Sequence, residues 1–491
     1  MSKNNSNTRT KARFTAIKFA VTLSLLSAFP VAQAQWGALF SAAAKMAATL
    51  PPPSPPPLSA DEARLASGIA TKIWDSTTMN PVTASDSSQA MIFANSVTKN
   101  IKDASELRSL LERLHIEGER NATLNLQRVG LAAIHAGELK LAERTLDAAT
   151  ARIEMIYADN AEAQKAKSLW TAEKIKDFKG EPYERAMAHY YRGLIYAARG
   201  DFQNARALFK QAEYQDTVAE NEKFSGDFGL MHYMAGWASY CDGNTQLAKD
   251  YLAQAVKGDS NYSFVAIDKP VLVLFETGRA PFKYGSGKFR EQLKFENHST
   301  SITPALKACE SSNKCSNNFV MGADIGFQAT TRGGRPVDAI LNGKASFKDA
   351  SQDIANVSHT ASKIGFEVAA LTGNRDMGNL GLLGMFAGIV AQSASNATQA
   401  QADIREWDQL PNNIWLATQD SKFNNKSLDV NLATGTSYKA KRIVDTPSCQ
   451  LYWGRDDFKT MNYTEAGPTE GGKHPRDPIF RKEIEGILIG L

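Results

Sequence analysis

From about residue 59 to residue 265, apolar residues recur every three or four positions, as in Leu107, Leu110, Leu111 and Leu114. That spacing predicts a series of amphipathic helices. Ser59 with Glu62, and Asp103 with Glu106, have the separation of capping boxes that would open such helices. Past Lys257 the pattern changes. Val271 to Phe275 is an unbroken apolar run between Pro270 and Gly278, which predicts a buried strand. The stretches NNFVMGADIGFQATT, NIWLATQD, KSLDVNLATG and SCQLYWGRD predict further strands separated by turn residues. Residues 351–372 and 377–402 read as helices. The expected fold class is α+β: a helical repeat domain over 59–265, a smaller mixed domain over 266–460 and a tail over 461–491.

The helical part carries an internal repeat. Gly130, Gly193 and Gly236 are each followed seven residues later by Gly137, Gly200 and Gly243. Ala142, Ala205 and Ala248 come next, then Leu146, Phe209 and Leu252, then Ala149, Ala212 and Ala255. Small residues at these places let two antiparallel helices approach closely, with the second glycine in the turn. The pattern resembles tetratricopeptide repeats, which are stacked helix–turn–helix units. The spacing is irregular, and residues 151–182, with Trp170 and Phe178, read as an insertion. Stacked hairpins leave a concave face. Tyr190, Tyr191, Tyr196 and Trp237 are the expected anchors for a peptide or protein partner on it, with Glu184 and Arg185 as charged neighbours. His189 and His232 fall at a frame position that holds Leu126 in the first unit, so they read as packing residues.

The ends differ from the middle. Residues 1–34 have a basic stretch ending at Lys18, an apolar stretch from Phe19 to Phe29 and the segment Ala32-Gln33-Ala34. This is the form of a secretory signal peptide cleaved after Ala34. Residues 35–58 follow as an apolar segment and a proline-rich linker, Pro51 to Pro57. The chain is formally +4, but the leader holds five bases and no acid, leaving 51 basic and 52 acidic residues. The remainder has no net positive charge to attract nucleic acid. With 43% hydrophobic and 22% charged residues, it has enough apolar side chain for a core, which excludes global disorder.

Chemistry is sparse. YGSGKF fails as a phosphate loop because Phe282 and Phe289 stand where a glycine and a hydroxyl are needed. No H-E-x-x-H, G-x-S-x-G or C-x-x-C occurs, and no cofactor or metal is expected. The strongest candidate pair is Glu276 and Arg279, at the end of the predicted strand beside Gly278. It reads as a structural ion pair that pins the turn, as a site for a charged ligand, or as a site in which Glu276 serves as a general base. Cys309 and Cys315 bracket a polar loop and are expected to close it, while Cys241 and Cys449 either pair or stay reduced. Residues 377–402 carry no charge from Met377 to Ala402, and read as a buried helix or one that meets a membrane or partner.

Three segments together resemble one family: Phe178–Ala205, Leu272–Lys283 and Ala402–Ala417. The resemblance is to functionally uncharacterised bacterial envelope proteins, many of them lipoproteins, that join tetratricopeptide-like helices to a mixed C-terminal domain. Its most specific points are Glu181, Tyr183, Glu184 and Arg185; Glu276, Gly278, Arg279 and Pro281; and Arg405, Trp407, Leu410 and Pro411. It implies a compartment and an architecture, and no reaction. The absence of a cysteine after the apolar leader departs from a lipid-anchored form and leaves a periplasmic or secreted protein. The expected function is non-enzymatic docking of an envelope protein or peptide, with no nucleic acid. The rival is an envelope hydrolase acting on cell-wall material through Glu276.

Overall fold

The computed structural model describes residues 79–80, 82–157, 177–217, 226–286, 292–296, 306–311, 314–316, 318–330, 402–456, 469–470 and 474–490. The leader, the proline-rich linker, the Ser59–Glu62 box, Trp170 and the expected helices at 351–372 and 377–402 lie outside these residues. The fold is α+β, with helices in the N-terminal half and a curled sheet C-terminal to them.

Eight helices run as four consecutive hairpins: α1 (Ala84–Val97) with α2 (Ser105–Glu117), α3 (Ala122–Ala136) with α4 (Leu139–Tyr157), α5 (Pro182–Ala198) with α6 (Phe202–Thr217), and α7 (Gly229–Cys241) with α8 (Thr245–Gly258). Each hairpin packs on the next. The three glycine-marked stretches are the second, third and fourth hairpins. A Cβ on Gly130 would lie 2.7 Å from Leu146, and one on Gly193 would lie 2.6 Å from Phe209. In these two units the large residue of the repeat fills the space that the first glycine leaves, whereas Gly236 is met by Ala248, Tyr251 and Ile267. Gly137, Gly200 and Gly243 take the left-handed backbone (φ 84°, 76° and 86°) that ends each first helix.

Asp103 does not cap α2. The helix starts at Ser105 with Ala104 as its N-cap and no side-chain cap, because Asp103 itself sits at φ 51° in the preceding turn. At the start of α1, Thr83 and Asp86 do form a capping box.

The sheet has eight strands in the order β6-β5-β9-β10-β11-β2-β8-β7. These are β2 (Val271–Thr277), β5 (Lys307–Ser311), β6 (Lys314–Ser316), β7 (Val320–Asp324), β8 (Asn413–Gln419), β9 (Ser427–Asn431), β10 (Ser437–Asp445) and β11 (Gln450–Arg455). Neighbours are antiparallel except β11 and β2, which are parallel. β6 and β7 lie at opposite edges of the sheet, yet residues 317–319 alone join them. Four Cα steps of about 3.8 Å reach roughly 15 Å, whereas the edges of a flat eight-stranded sheet stand about 34 Å apart at ~4.8 Å per strand. The sheet must therefore roll into a near-closed barrel. Ser316 donates to the Thr418 carbonyl across the seam, at 3.3 Å.

Rolling gives the sheet two buried faces. Val271, Val273, Phe275, Leu428, Val430 and Tyr452 fill the inside. Leu272, Leu274, Leu416, Leu451 and Trp453 face outward and join the helical core. All seven residues of β2 are buried for this reason, which is why it reads as a continuous apolar run rather than an alternating one.

Smaller elements complete the structure. β3 (Phe282–Ser286) and β4 (Gln292–Glu296) form a hairpin, and β1 (Met79–Asn80) pairs with β12 (Thr469–Glu470). The segment expected as one strand around Val320 divides into β7 and a short helix α9 (Ile325–Thr330). The expected tail holds α10 (Asp477–Leu488), which returns to the helices with Phe480, Ile484 and Leu488 buried. Asp477 accepts from Glu119 N at 3.0 Å, and Arg152 of α4 pairs with Glu483 at 3.1 Å. Two disulfides are present, Cys309–Cys315 across β5 and β6, and Cys241–Cys449, which ties the end of α7 to the start of β11. Among the described residues, no helix is long and apolar enough to cross a membrane.

Candidate functional site

The residues singled out by sequence converge where the helices meet the outer face of the barrel. Glu276 is at the C-terminal end of β2, on the side that carries Leu272 and Leu274. Its carboxyl is fully buried, at 0% exposure. Tyr191 of α5 donates its hydroxyl to Oε2 at 3.0 Å, and Trp453 of β11 donates Nε1 to Oε1 at 2.9 Å. Burial pushes the Glu276 carboxyl up to about 7, against the field of Arg455 and the two donors, with Asp456 adding a little. Arg455 is held in turn by the carbonyls of Gln409 and Gly278. The positive charge acting on Glu276 thus comes from β11, and Arg279 is half-buried in the turn after β2. Arg455 is the cation whose field bears most on Glu276. The parallel pairing of β2 and β11 sets Glu276 opposite Arg455.

A second polar cluster lies at the start of α5. Glu184 accepts from Glu181 N at 2.6 Å and so closes the first turn of the helix after Pro182. The same carboxylate accepts from Lys283 Nζ of β3 at 2.6 Å and from Trp407 N at 2.7 Å. Both side chains of the pair are dry, at 1% and 0% exposure. Lys283 also donates to the Arg405 carbonyl at 3.0 Å, and its backbone N–H reaches Glu406 at 2.7 Å. Burial pushes Glu406 up to about 7, opposed by Lys283 and aided by Glu184 and Asp408. Arg128 of α3 holds the same segment through Asp408 and the Glu406 carbonyl. Residues 402–410 are therefore threaded between α3, α5 and β3 by charges from all three.

The expected aromatic anchors are not on an open face. Tyr190, Tyr191 and Trp237 are each 0% exposed. Tyr190 packs on Tyr191 and Phe209, and Trp237 packs on Phe202. Tyr191 meets Trp407 and Trp453 edge-on, at 5.7 and 6.5 Å. Tyr196 is half-buried beneath the Arg192 guanidinium. Arg185 binds Gln215 of α6 at 3.1 Å and the Gly180 carbonyl at 2.8 Å, tying the third hairpin together. The outward side of the barrel meets α5 at Tyr191, through Trp453 and Glu276. His189 is also fully buried, and burial first, then Arg185, lowers it to about 4, so it stays neutral.

Sequence reasoning missed Trp453, Arg455, Lys283 and Glu406. Lys283 and Glu406 stood inside segments that carried the family resemblance, but their meeting spans 123 residues, and no local pattern encodes it. No group of metal-ligating side chains occurs among the described residues. A buried carboxyl titrating near neutrality has the proton affinity of a general acid or base. Here the residue is fully buried, and its two oxygens accept from donors on α5 and β11. Comparisons with protein-family models, curated proteins and solved structures found no match.

Proposed function

We propose that this chain is a non-catalytic interaction protein of the bacterial periplasm or cell exterior, in which tetratricopeptide-like hairpins dock an envelope protein or peptide. Two disulfides fit an oxidising compartment, and the leader-like first 34 residues agree with export. The observation that carries the reading is the complete enclosure of Glu276. The acid expected as the hydrolase's general base has both oxygens engaged by Tyr191 and Trp453 and no solvent contact. The stacked hairpins carry exposed apolar positions such as Ile92 on α1 and Tyr214 on α6.

The test is site-specific photo-crosslinking in the native envelope from Ile92 and Tyr214, with exposed Lys439 on the barrel as control. A discrete adduct from the helix positions, absent from Lys439, supports docking. No adduct from either helix position contradicts it. Turnover of cell-wall material that is lost in a folded Glu276→Gln chain would instead establish the hydrolase.

A further inference from the structure

The helices and the barrel are joined along β11 by two fastenings of different chemistry. At its start, Cys449 is bonded to Cys241 at the end of α7. Four residues on, Trp453 shares the Glu276 carboxyl with Tyr191 of α5. At ~3.3 Å per residue these lie about 13 Å apart. The first is covalent. The second depends on a carboxyl that is either neutral or charged.

The surroundings of Glu276 can be named element by element. From α5 come Tyr191 and Tyr190. From β11 come Trp453 and Arg455, with Asp456 just beyond. From α3, His135 stacks on Trp453 at 4.7 Å, and burial with Arg455 and Lys441 lowers it to about 3, so it brings no charge at neutral pH. Across β8 the residue opposite Glu276 is Ile414. The segment between brings Trp407 against Tyr191 and Gln409 on Arg455. One cation and one anion thus face the group, and no surrounding element leaves it open to water.

We propose that the junction is a pH-governed latch, with Cys241–Cys449 as a permanent pivot and the Glu276 carboxyl as a catch that loosens the barrel from α5 when it loses its proton. Burial favours the neutral acid in this dry site and outweighs the two donors and Arg455, which favour the charge. The carboxylate is better solvated outside it. With an ordinary value of 4.5 and a closed value of about 7, the loosened fraction should rise about tenfold between pH 6 and pH 8. Loosening uncovers Tyr191, Trp407 and Trp453. The inference leans on the docking reading only for what those rings then grip. Glu406, flanked by Lys283, Glu184 and Asp408, titrates in the same range but belongs to the other cluster. The difference between the wild-type chain and Glu276→Gln isolates the catch.

Hydrogen exchange on the disulfide-intact chain at pH 6 and pH 8, divided by the intrinsic chemical rates, reads the latch without any partner. Peptides from α5 and β11 should gain about tenfold in exchange at the higher pH, while β5 and β9, which pair with neither, stay unchanged. Glu276→Gln should remove the gain. Tyr191→Phe, which deletes a donor that favours the charged form, should move the rise to higher pH, and it carries the test if Glu276→Gln does not fold. The latch is overturned by no gain in the wild type, by an equal gain in Glu276→Gln, by an equal gain in β5 and β9, or by an unmoved midpoint in Tyr191→Phe. A failed crosslinking experiment leaves the exchange result standing, and the reverse holds too.

Discussion

Tyr191 and Glu276 are 85 residues apart in the chain, and the tyrosine hydroxyl meets the carboxyl at 3.0 Å in a site sealed from solvent. This contact joins the third helical hairpin to β2 of the barrel. It turns the residue expected to grip a partner and the residue expected to do chemistry into two halves of one internal bond. An unpaired polar group here costs far more than the net gain of making the bond.

Removing the acceptor should therefore be costly. Glu276→Ala leaves the Tyr191 hydroxyl and the Trp453 indole N–H buried without a partner. The expected loss is about 2–5 kcal/mol from the two unsatisfied donors together. Glu276→Gln keeps an acceptor oxygen and should lose much less. Chemical denaturation of both variants at pH 6 measures the difference.

The pH dependence has a defined sign. A carboxyl raised in the folded state contributes stability that is complete below about 4.5 and is lost as the pH climbs through about 7. The wild-type chain should accordingly lose about 1.4 kcal/mol more than Glu276→Gln between pH 6 and pH 8. Denaturant midpoints for the two chains across that window test the sign. A wild type that becomes relatively more stable with rising pH would show it to be wrong.

Hairpin packing makes its own prediction. Gly193→Ala places a methyl 2.6 Å from the Phe209 ring, and overpacking of this kind costs about 1–3 kcal/mol. Shortening the ring in Gly193→Ala/Phe209→Leu should recover part of the loss, which a double-mutant cycle reads directly. Simple additivity of the two changes would argue against the contact.

The buried pair at the start of α5 should behave asymmetrically. Lys283→Met strands the Glu184 charge, and breaking one side of a buried pair costs about 3–5 kcal/mol. Adding Glu184→Gln removes that charge, so the double variant should be more stable than Lys283→Met alone. Thermal unfolding of the three chains decides it.

The sequence disclosed the local parts of this structure and not the distant ones. Gly130 and Gly193 reveal hairpins because the residue each accommodates, Leu146 or Phe209, lies sixteen positions ahead in the repeat frame. Val271 to Phe275 revealed a strand buried on both faces because nothing polar interrupts it. The closed seam between β6 and β7 was not legible, since short strands such as Lys314–Ser316 carry almost no period. α10 was missed although Phe480, Ile484 and Leu488 recur every four residues after Pro478; the tail was read by its position rather than its spacing. Tyr190, Tyr191 and Trp237 were placed on the helices correctly, but nothing local to them tells whether a partner or the chain's own barrel covers them.

That last point is also the most direct thing to measure. Hydroxyl-radical footprinting of the native, oxidised chain at pH 6 compares ring accessibility residue by residue. Tyr191, Trp237, Trp407 and Trp453 should stay unmodified while Tyr214 and Phe264, which are 54% and 75% exposed, are labelled quickly. Labelling of Tyr191 and Trp453 at rates similar to Tyr214 would mean that the helices do not hold the barrel, and the account would fail.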